Sequence, residues 1–326
     1  MKIVAIGNAI VDILSQIDDE ILNKKNLSKG SMSLIEADVA GDLLQIKSTK
    51  IDCGGSAANT IAAISQLGVD SGFIGKVCND KLGLEFIRKI RKTNTKFLSN
   101  NYHDNPTARS FILVSPDAQR TMCTYLGCAS NIDDDDIEEK YFIDTKILYL
   151  EGYLWDKAET ICALKKAIRF AKKHYVQIAF SASDSFCVER HKADFLKLIA
   201  NDLEILFANE DEFLSLSDNK QYSDEAALKF FNQYPNLTAI ITRSEKGCVI
   251  IKDGKLISEP AKPAPNLLDS TGAGDAFAAG FLFKLLNNET IESAAQFGNL
   301  LAAKIIQKFG ARFEDDEIKQ LGSVEI

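Results

Sequence analysis

The stretch DSTGAGDAFAAGFLF, residues 269–283, sets two aspartates, a threonine and closely spaced glycines directly before an amphipathic helical run. A helix start leaves backbone N–H groups without partners, and small residues there let a negatively charged group come close. Two chemistries fit this pattern: a tight helix cap, or a phosphoryl-transfer site in which Gly272, Ala273 and Gly274 cradle a phosphate. In the second, Asp275 stands beside the cradle, where a base must sit if a substrate hydroxyl is to attack phosphorus. Thr271 then offers its hydroxyl to the phosphate, and Asp269 caps or orders the loop. In the first, Asp275 only complements the helix dipole.

Other polar residues fall at the ends of apolar runs. Asn8 and Asp12 follow KIVAIG, CGGSAAN (53–59) opens a helix, and FANEDEF (207–213) and ITRSEKG (241–247) each close a strand-like segment. Asp12 and Asn59 carry the acceptors and donors that vicinal hydroxyls need, while Gly54, Gly55 and Ser56 let a sugar-like ligand approach the backbone; a capped helix is the plainer alternative. Asn209 and Glu212 can turn to one side and hold a hydrated magnesium ion. Glu210 and Asp211 compete for that role, and an N-cap followed by an acidic first turn explains the same residues. Arg109, Arg120 and Arg243 are cations suited to phosphate, although surface arginine is common. No GxGxxG or GxxxxGK[ST] is present, and no GxSxG elbow supports a hydrolase.

These loops must be positioned by alternating elements. KIVAIG, SGFIGKV, KILYLEG, VQIAFSA, LEILFAN, LTAIITR and GCVIIKDGK read as strands, separated by helices at 56–68, 82–90, 157–173, near 191–200 and after Gly272. Short continuous apolar strands alternating with helices predict a mostly parallel sheet covered on both faces, with ligands beyond the carboxyl ends of the strands. The half-polar pieces GSMSLI, KIDC, ARSFILV and RTMCTYL interrupt that pattern and predict a second sheet with one ligand-facing side. The expected division is a core of residues 1–13, 53–95 and 129–326 with an inserted β lid of 14–52 and 96–128. The acidic runs at 133–136 and 314–317 read as solvated helix starts.

Composition narrows the class. The 326 residues suffice for a large α/β domain, and a net charge of -8 without a basic block argues against nucleic acid as main partner. Seven cysteines without a CxxC pair, and histidines 103, 174 and 191 without metal spacing, point to a reduced intracellular chain with no zinc site. No segment approaches the roughly 20 apolar residues that a bilayer span requires, so a cytoplasmic protein without membrane partners is expected.

Taken together, CGGSAANTIAAISQLG and DSTGAGDAFAAGFL resemble the two signatures of the ribokinase-like, PfkB-type sugar and nucleoside kinases. GNAIVDI, NEDEF and FGNLLAAKIIQKFGAR fall in the family order, so the resemblance covers nearly the whole chain. It implies a three-layer αβα Rossmann-like core with a small β lid, and transfer of the γ-phosphoryl of ATP to a hydroxymethyl group. It implies Asp275 as the general base, the N–H groups of Ala273, Gly274 and Asp275 as anion hole, and magnesium organised near Asn209 and Glu212, partly through water. Asn8, Asp12, Gly54, Gly55, Ser56, Asn59 and Arg109 would meet the acceptor, and Asn209, Thr242, Arg243, Gly247, Thr271, Gly272, Gly274 and Asn299 the nucleotide. Two positions depart from the pattern: Ser244 stands where many members have glycine, and Cys78 does likewise, which puts the placement of Asp80 in question.

The pair GNAIVD and GGSAAN is closer to the adenosine-kinase-like branch, which makes a ribonucleoside, adenosine first, the expected acceptor; ribose or fructose is the alternative, and a non-catalytic nucleotide-binding regulator the remaining one. A nucleoside needs an apolar slot for its base, for which Leu14, Ile35, Phe111 and Leu126 are candidates. Activation by a monovalent cation is common in parts of the family, and no residue decides it here. The lid can also offer a sheet edge for a homodimer, so monomer and dimer both stay open.

Overall fold

The computed structural model of the chain describes residues 1–99, 105–117 and 119–323. Among them, nine strands form the larger sheet, in the spatial order Lys255–Glu259, Cys248–Lys252, Thr238–Thr242, Ile205–Asn209, Gln177–Ser181, Ile147–Glu151, Ile3–Ile6, Ser71–Ile74 and Lys96–Phe97. From Thr238–Thr242 onward every neighbouring pair is parallel, and the first two strands add as an antiparallel edge. Alternation along Ile3–Ile6 explains why the strand is apolar throughout: Ile3 and Ala5 enter one core, Val4 and Ile6 the other. Helices Ser56–Gln66, Ala273–Leu286 and Ile291–Ile305 cover the first face; Ala158–Lys173, Ser185–Asn201 and Asp224–Phe231 cover the second. The α/β, three-layer expectation holds.

Two helices differ from their sequence expectation. Ser185–Asn201 begins well before residue 191, because Asp184 caps it by accepting the Cys187 N–H at 2.6 Å. Ala273–Leu286 is not amphipathic: every residue from Ala276 to Leu282 is buried. It is enclosed because Ser56–Gln66 and Ile291–Ile305 pack on it from two sides. Its first turn is therefore anchored to the core along the rest of its length.

The second sheet has the order Met32–Leu34, Arg120–Tyr125, Ala108–Val114, Ile10–Gln16, Lys50–Gly54. Its boundaries depart from the expected lid in three places. Ile10 through Ile13 and the pair Cys53 and Gly54 belong to this sheet, not to the core, whereas Lys96 and Phe97 pair with the large sheet. Only Gly7, Asn8 and Ala9 separate the two sheets at the first crossing. One side of the small sheet, through Val11, Ile13, Phe111 and Cys123, packs into the core; the other faces a cavity.

The acidic run at 133–136 does start a short 3-10 helix, Asp134–Asp136, capped by Asp133 and with Asp134 and Asp135 exposed, but it is not solvated throughout. Asp136 is buried, and Lys76, itself buried, reaches both Asp133 and Asp136 at 2.8 Å. Burial raises the pKa of Asp136, the Lys76 bond opposing it; burial also works against charge on Lys76, yet its two carboxylate bonds hold its pKa above the ordinary value. The run at 314–317 does start a short helix, Asp315–Gly322, with Asp315, Asp316 and Glu317 in its first turn. Lys76→Met would leave Asp136 buried without its counter-ion, and is expected to cost about 3–5 kcal/mol in urea unfolding at neutral pH. The loss should shrink as pH falls and the carboxyl takes up a proton; a loss independent of pH would contradict this account.

Candidate active site

The first strand sits between neighbours that follow it in opposite directions along the sheet, Ser71–Ile74 on one side and Ile147–Glu151 on the other. Such a reversal opens a crevice at the carboxyl ends of the strands. Glu151 closes its strand there and is fully buried. It accepts the N–H and the side-chain amide of Asn8, both at 2.8 Å, and the Ala57 N–H at 2.7 Å. Burial pushes its carboxyl up to about 7 against those three donors. Glu151 is not among the expected site residues; its one signal in the sequence is a single carboxylate ending the otherwise apolar run KILYLEG.

Glu151 thereby fixes the start of Ser56–Gln66. The chain enters that helix through Gly55 at φ +95, where a Cβ would overlap the Asn8 carbonyl oxygen. From its first turn Ser56 Oγ donates to Asp275 Oδ1 at 2.6 Å and Asn59 Nδ2 donates to Asp275 Oδ2 at 3.0 Å. Two helix starts thus face each other across one carboxylate. Burial pushes Asp275 up to about 6, while Ser56, Asn59 and Arg312 pull the other way. A carboxylate in this state is ionised at neutral pH yet more basic than an exposed one.

The loop before it is equally determined. Gly272 caps the helix at φ +78, and a Cβ there would lie 2.5 Å from that of Ala311. Asp269 accepts the N–H groups of Thr271 at 3.0 Å and Gly310 at 2.8 Å, and pairs with Arg120 of the small sheet at 2.5 Å. Burial opposes ionisation, but the Arg120 pair and those donors hold Asp269 below the usual carboxylate range. Space is open above Gly274. Helix geometry leaves the N–H groups of Gly274 and Asp275 without intrahelical acceptors, whereas that of Ala273 donates to Ser270 at 3.2 Å.

These groups border a cavity of about 670 Å³ between the two sheets. Asn8, Asp12, Gly55, Ser56, Asn59, Asn209, Glu212, Thr242, Thr271, Gly272, Ala273, Gly274 and Asp275 all line it. Asp12, opposite Asp52 and Ser110 in the small sheet, is raised to about 7 by burial; Arg312 lowers it and neighbouring carboxylates raise it. Gly54 lies against the Asp12 carboxylate. Asn209 and Glu212 form a capping box, with Asn209 accepting the Glu212 N–H at 2.8 Å and Glu212 accepting the Asn209 N–H at 3.0 Å. Burial raises Glu212 to about 7. No group of three or more His, Cys, Asp or Glu residues suited to a metal occurs among the described residues.

Several expected residues lie elsewhere. Arg109 alternates with Ser110, so Ser110 faces the cavity while Arg109 is buried on the other side over the Tyr125 ring. Arg243 is committed to Asp224 at 3.0 Å and Ser258 at 2.9 Å. Asn299 donates to the carbonyls of Glu259 and Pro260, and Gly247 packs on the same segment, so neither borders the cavity. Of the slot candidates only Leu126 lines it: Phe111 points into the core, Ile35 packs against that core, and Leu14 borders a smaller cavity. The apolar wall is instead Ile10, Met32, Leu34 and Met122. Asp80 caps helix Lys81–Lys92 and binds Thr107, and Ser244 adopts φ +51, a left-handed conformation that glycine takes more readily. His174 and His191 pair with Glu139 and Asp156, and His103 lies outside the described residues.

The model of the pfkB family of carbohydrate kinases matches residues 23–318. The chain belongs to this family. The kinase is 37% identical to an adenosine kinase from Sinorhizobium meliloti, with 95% of each chain covered and a TM-score of 0.86. It is 34% identical to a probable sugar kinase from Rhizobium etli, with 99% of each chain covered and a TM-score of 0.89. A 5-dehydro-2-deoxygluconokinase from Listeria monocytogenes is 27% identical over 284 residues, which are 82% of this chain and 86% of that one. The chain is therefore an ATP-dependent phosphotransferase acting on an alcohol group of a small sugar or nucleoside. No helix among its described residues is long and apolar enough to cross a membrane.

The electrostatics of Asp275 can be checked without turnover. A carbon-13 titration of its carboxyl in the ligand-free kinase is expected to centre near pH 6, the value to which burial raises it. Ser56→Ala removes a donor that favours the charged form and should move the midpoint upward. A midpoint near 4 in both proteins would contradict the described environment.

Proposed function

We propose that the kinase transfers the γ-phosphoryl group of ATP to the hydroxymethyl group of a ribonucleoside, adenosine first, giving AMP and ADP. The observation that carries this reading is the division of the cavity. One end joins Asp12, Asn59 and Asp275; the small sheet supplies the apolar wall of Ile10, Met32, Leu34 and Met122. A ribose with a flat base fits that division, hydroxyls toward the carboxylates and the base against the wall. Similarity to the Sinorhizobium adenosine kinase supports it. A free-sugar acceptor is the second reading, favoured by Ser110 and Thr124 on the same face and by the sugar kinase relatives.

In this reading Asp12 and Asn59 orient the ribose, and Asp275 takes the proton of the acceptor hydroxyl as its oxygen bonds to the γ-phosphorus. The bond from that phosphorus to the bridging β–γ oxygen breaks, and ADP leaves. The N–H groups of Gly274 and Asp275, at the positive end of a helix, face the charge on the transferred phosphoryl. Thr271 and Thr242 border its path. Asn209 and Glu212, already bonded to one another, suit an ion that keeps much of its own water, which is how magnesium prefers to bind. Magnesium, when bound with ATP, supplies neutralisation of phosphate charge.

ADP release should be measured with adenosine, other ribonucleosides, ribose, fructose and 5-dehydro-2-deoxygluconate. Asp275→Asn is expected to lower kcat by about 100- to 10,000-fold with nucleotide binding retained. Turnover should fall as pH drops through about 6, where Asp275 becomes protonated. Turnover with a free sugar alone would overturn the acceptor assignment, and undiminished Asp275→Asn activity would overturn the base. Met122→Asp is expected to lower kcat/KM for adenosine by about tenfold or more, since a charge on the half-buried wall would face the base. An equal fall with a free sugar would remove the apolar wall as the source of preference.

A further inference from the structure

Residues 310–312 follow the helix Ile291–Ile305, and each touches a different part of the site. Gly310 N–H donates to Asp269 at 2.8 Å, Ala311 fills the space that Gly272 leaves by lacking a Cβ, and Arg312 Nε donates to Asn59 Oδ1 at 3.1 Å. Asn59 is buried, and its amide has two unlike ends. One end must donate if it is to serve the Asp275 carboxylate, and the reversed amide would set oxygen against oxygen. A guanidinium has donors and no acceptor, so it accepts only one of those two orientations.

We propose that Arg312 is a positioning residue for phosphoryl transfer, locking the Asn59 amide with its N–H₂ toward Asp275. The inference rests on the reading of Asp275 as the base. Arg312 also borders the smaller cavity, of about 50 Å³, with Asp12, Asp52, Lys50, Arg120 and Asp269, and its Nη2 is buried without a partner. It is the cation whose charge lowers both Asp275 and Asp12. Asp12 from the small sheet, and Glu151 and Tyr149 from the large one, face Asp275 as groups that are anionic or neutral. Loss of Arg312 therefore removes an orientation and a compensating charge together.

Arg312→Met keeps length and apolar stem while deleting the donors. It is expected to lower kcat by about tenfold with KM for ATP unchanged, because misorientation at the reacting end leaves nucleotide contacts intact. The acid limb of kcat should move to higher pH, since a cation favouring the carboxylate is gone. Arg312→Lys, which still donates, should recover part of both. In an Asn59→Ala background, measured well above the acid limb where the Arg312 charge no longer decides the protonation of Asp275, Arg312→Met should cost little more than Asn59→Ala alone, because the amide it orients is absent. Wild-type kcat and acid limb in Arg312→Met, or full additivity with Asn59→Ala, would overturn the inference. If Arg312→Met does not fold by circular dichroism, Arg312→Lys carries the same cycle and pH profile, with the same outcomes deciding. Asp275→Asn separates the two readings. Full activity in that variant removes the base, whereas an inactive Asp275→Asn beside an unaffected Arg312→Met removes only the positioning role.

Discussion

A fully buried carboxylate, Glu151, sets the geometry on which the site depends. Its three N–H donors come from the loop after the first strand and from the start of the first core helix, so one side chain ties together three segments distant in sequence. Burying a charge without partners is costly, and each missing donor would leave a strongly disfavoured group at the sheet reversal. Because the constraint acts on backbone as well as side chain, it fixes where Ser56–Gln66 begins. Ser56 and Asn59 then reach Asp275 from a helix end that cannot drift. Asp275 is held in turn by a helix enclosed on nearly every side, which is why so short a loop can present a carboxylate to a wide cavity.

The same logic joins the small sheet to the loop before Asp275. Arg120 belongs to the small sheet, Asp269 to the loop, and their pair sits beside the backbone donors that shape that loop. Charge around the site is consequently graded. Asp269 is held ionised by a cation, while Asp12, Glu151, Glu212 and Asp275 are raised toward neutrality by burial. An enzyme that must accept a polyanion gains from carboxyls whose charge is soft, since a fully ionised cluster would repel phosphate.

Much of this was legible in the sequence, for identifiable reasons. Strands buried on both faces leave unbroken apolar runs, so the large sheet and its polar strand ends could be read directly. Residues that build a helix start, such as Gly272 and Asp275, leave a local pattern that survives translation into structure. What was not legible depends on which face a residue takes. Arg109 and Phe111 alternate with Ser110 and Ile112, and a one-residue choice of face exchanged the expected wall for Met32, Leu34 and Met122. The roles of Glu151 and Arg312 were not legible for another reason: their partners lie far away in sequence, even though Arg312 closes the quoted segment FGNLLAAKIIQKFGAR. The helix start at 133–136 was legible, but the burial of Asp136 within it was not, because its counter-ion, Lys76, is more than fifty residues earlier.

The crossing between the two sheets has a mechanical meaning. Only Gly7, Asn8 and Ala9 lie between the end of one strand and the start of the next, and the return passes through Gly54 and Gly55. At these two crossings there is no slack chain to absorb rotation. Any swing of the small sheet must bend these few residues, and among them Asn8 grips Glu151 while Asn8 and Gly55 edge the cavity. Joint and grip therefore coincide, so the stiffness of this hinge is set by whatever occupies the cavity, and a ligand there would act on the motion as a splint acts on a knuckle.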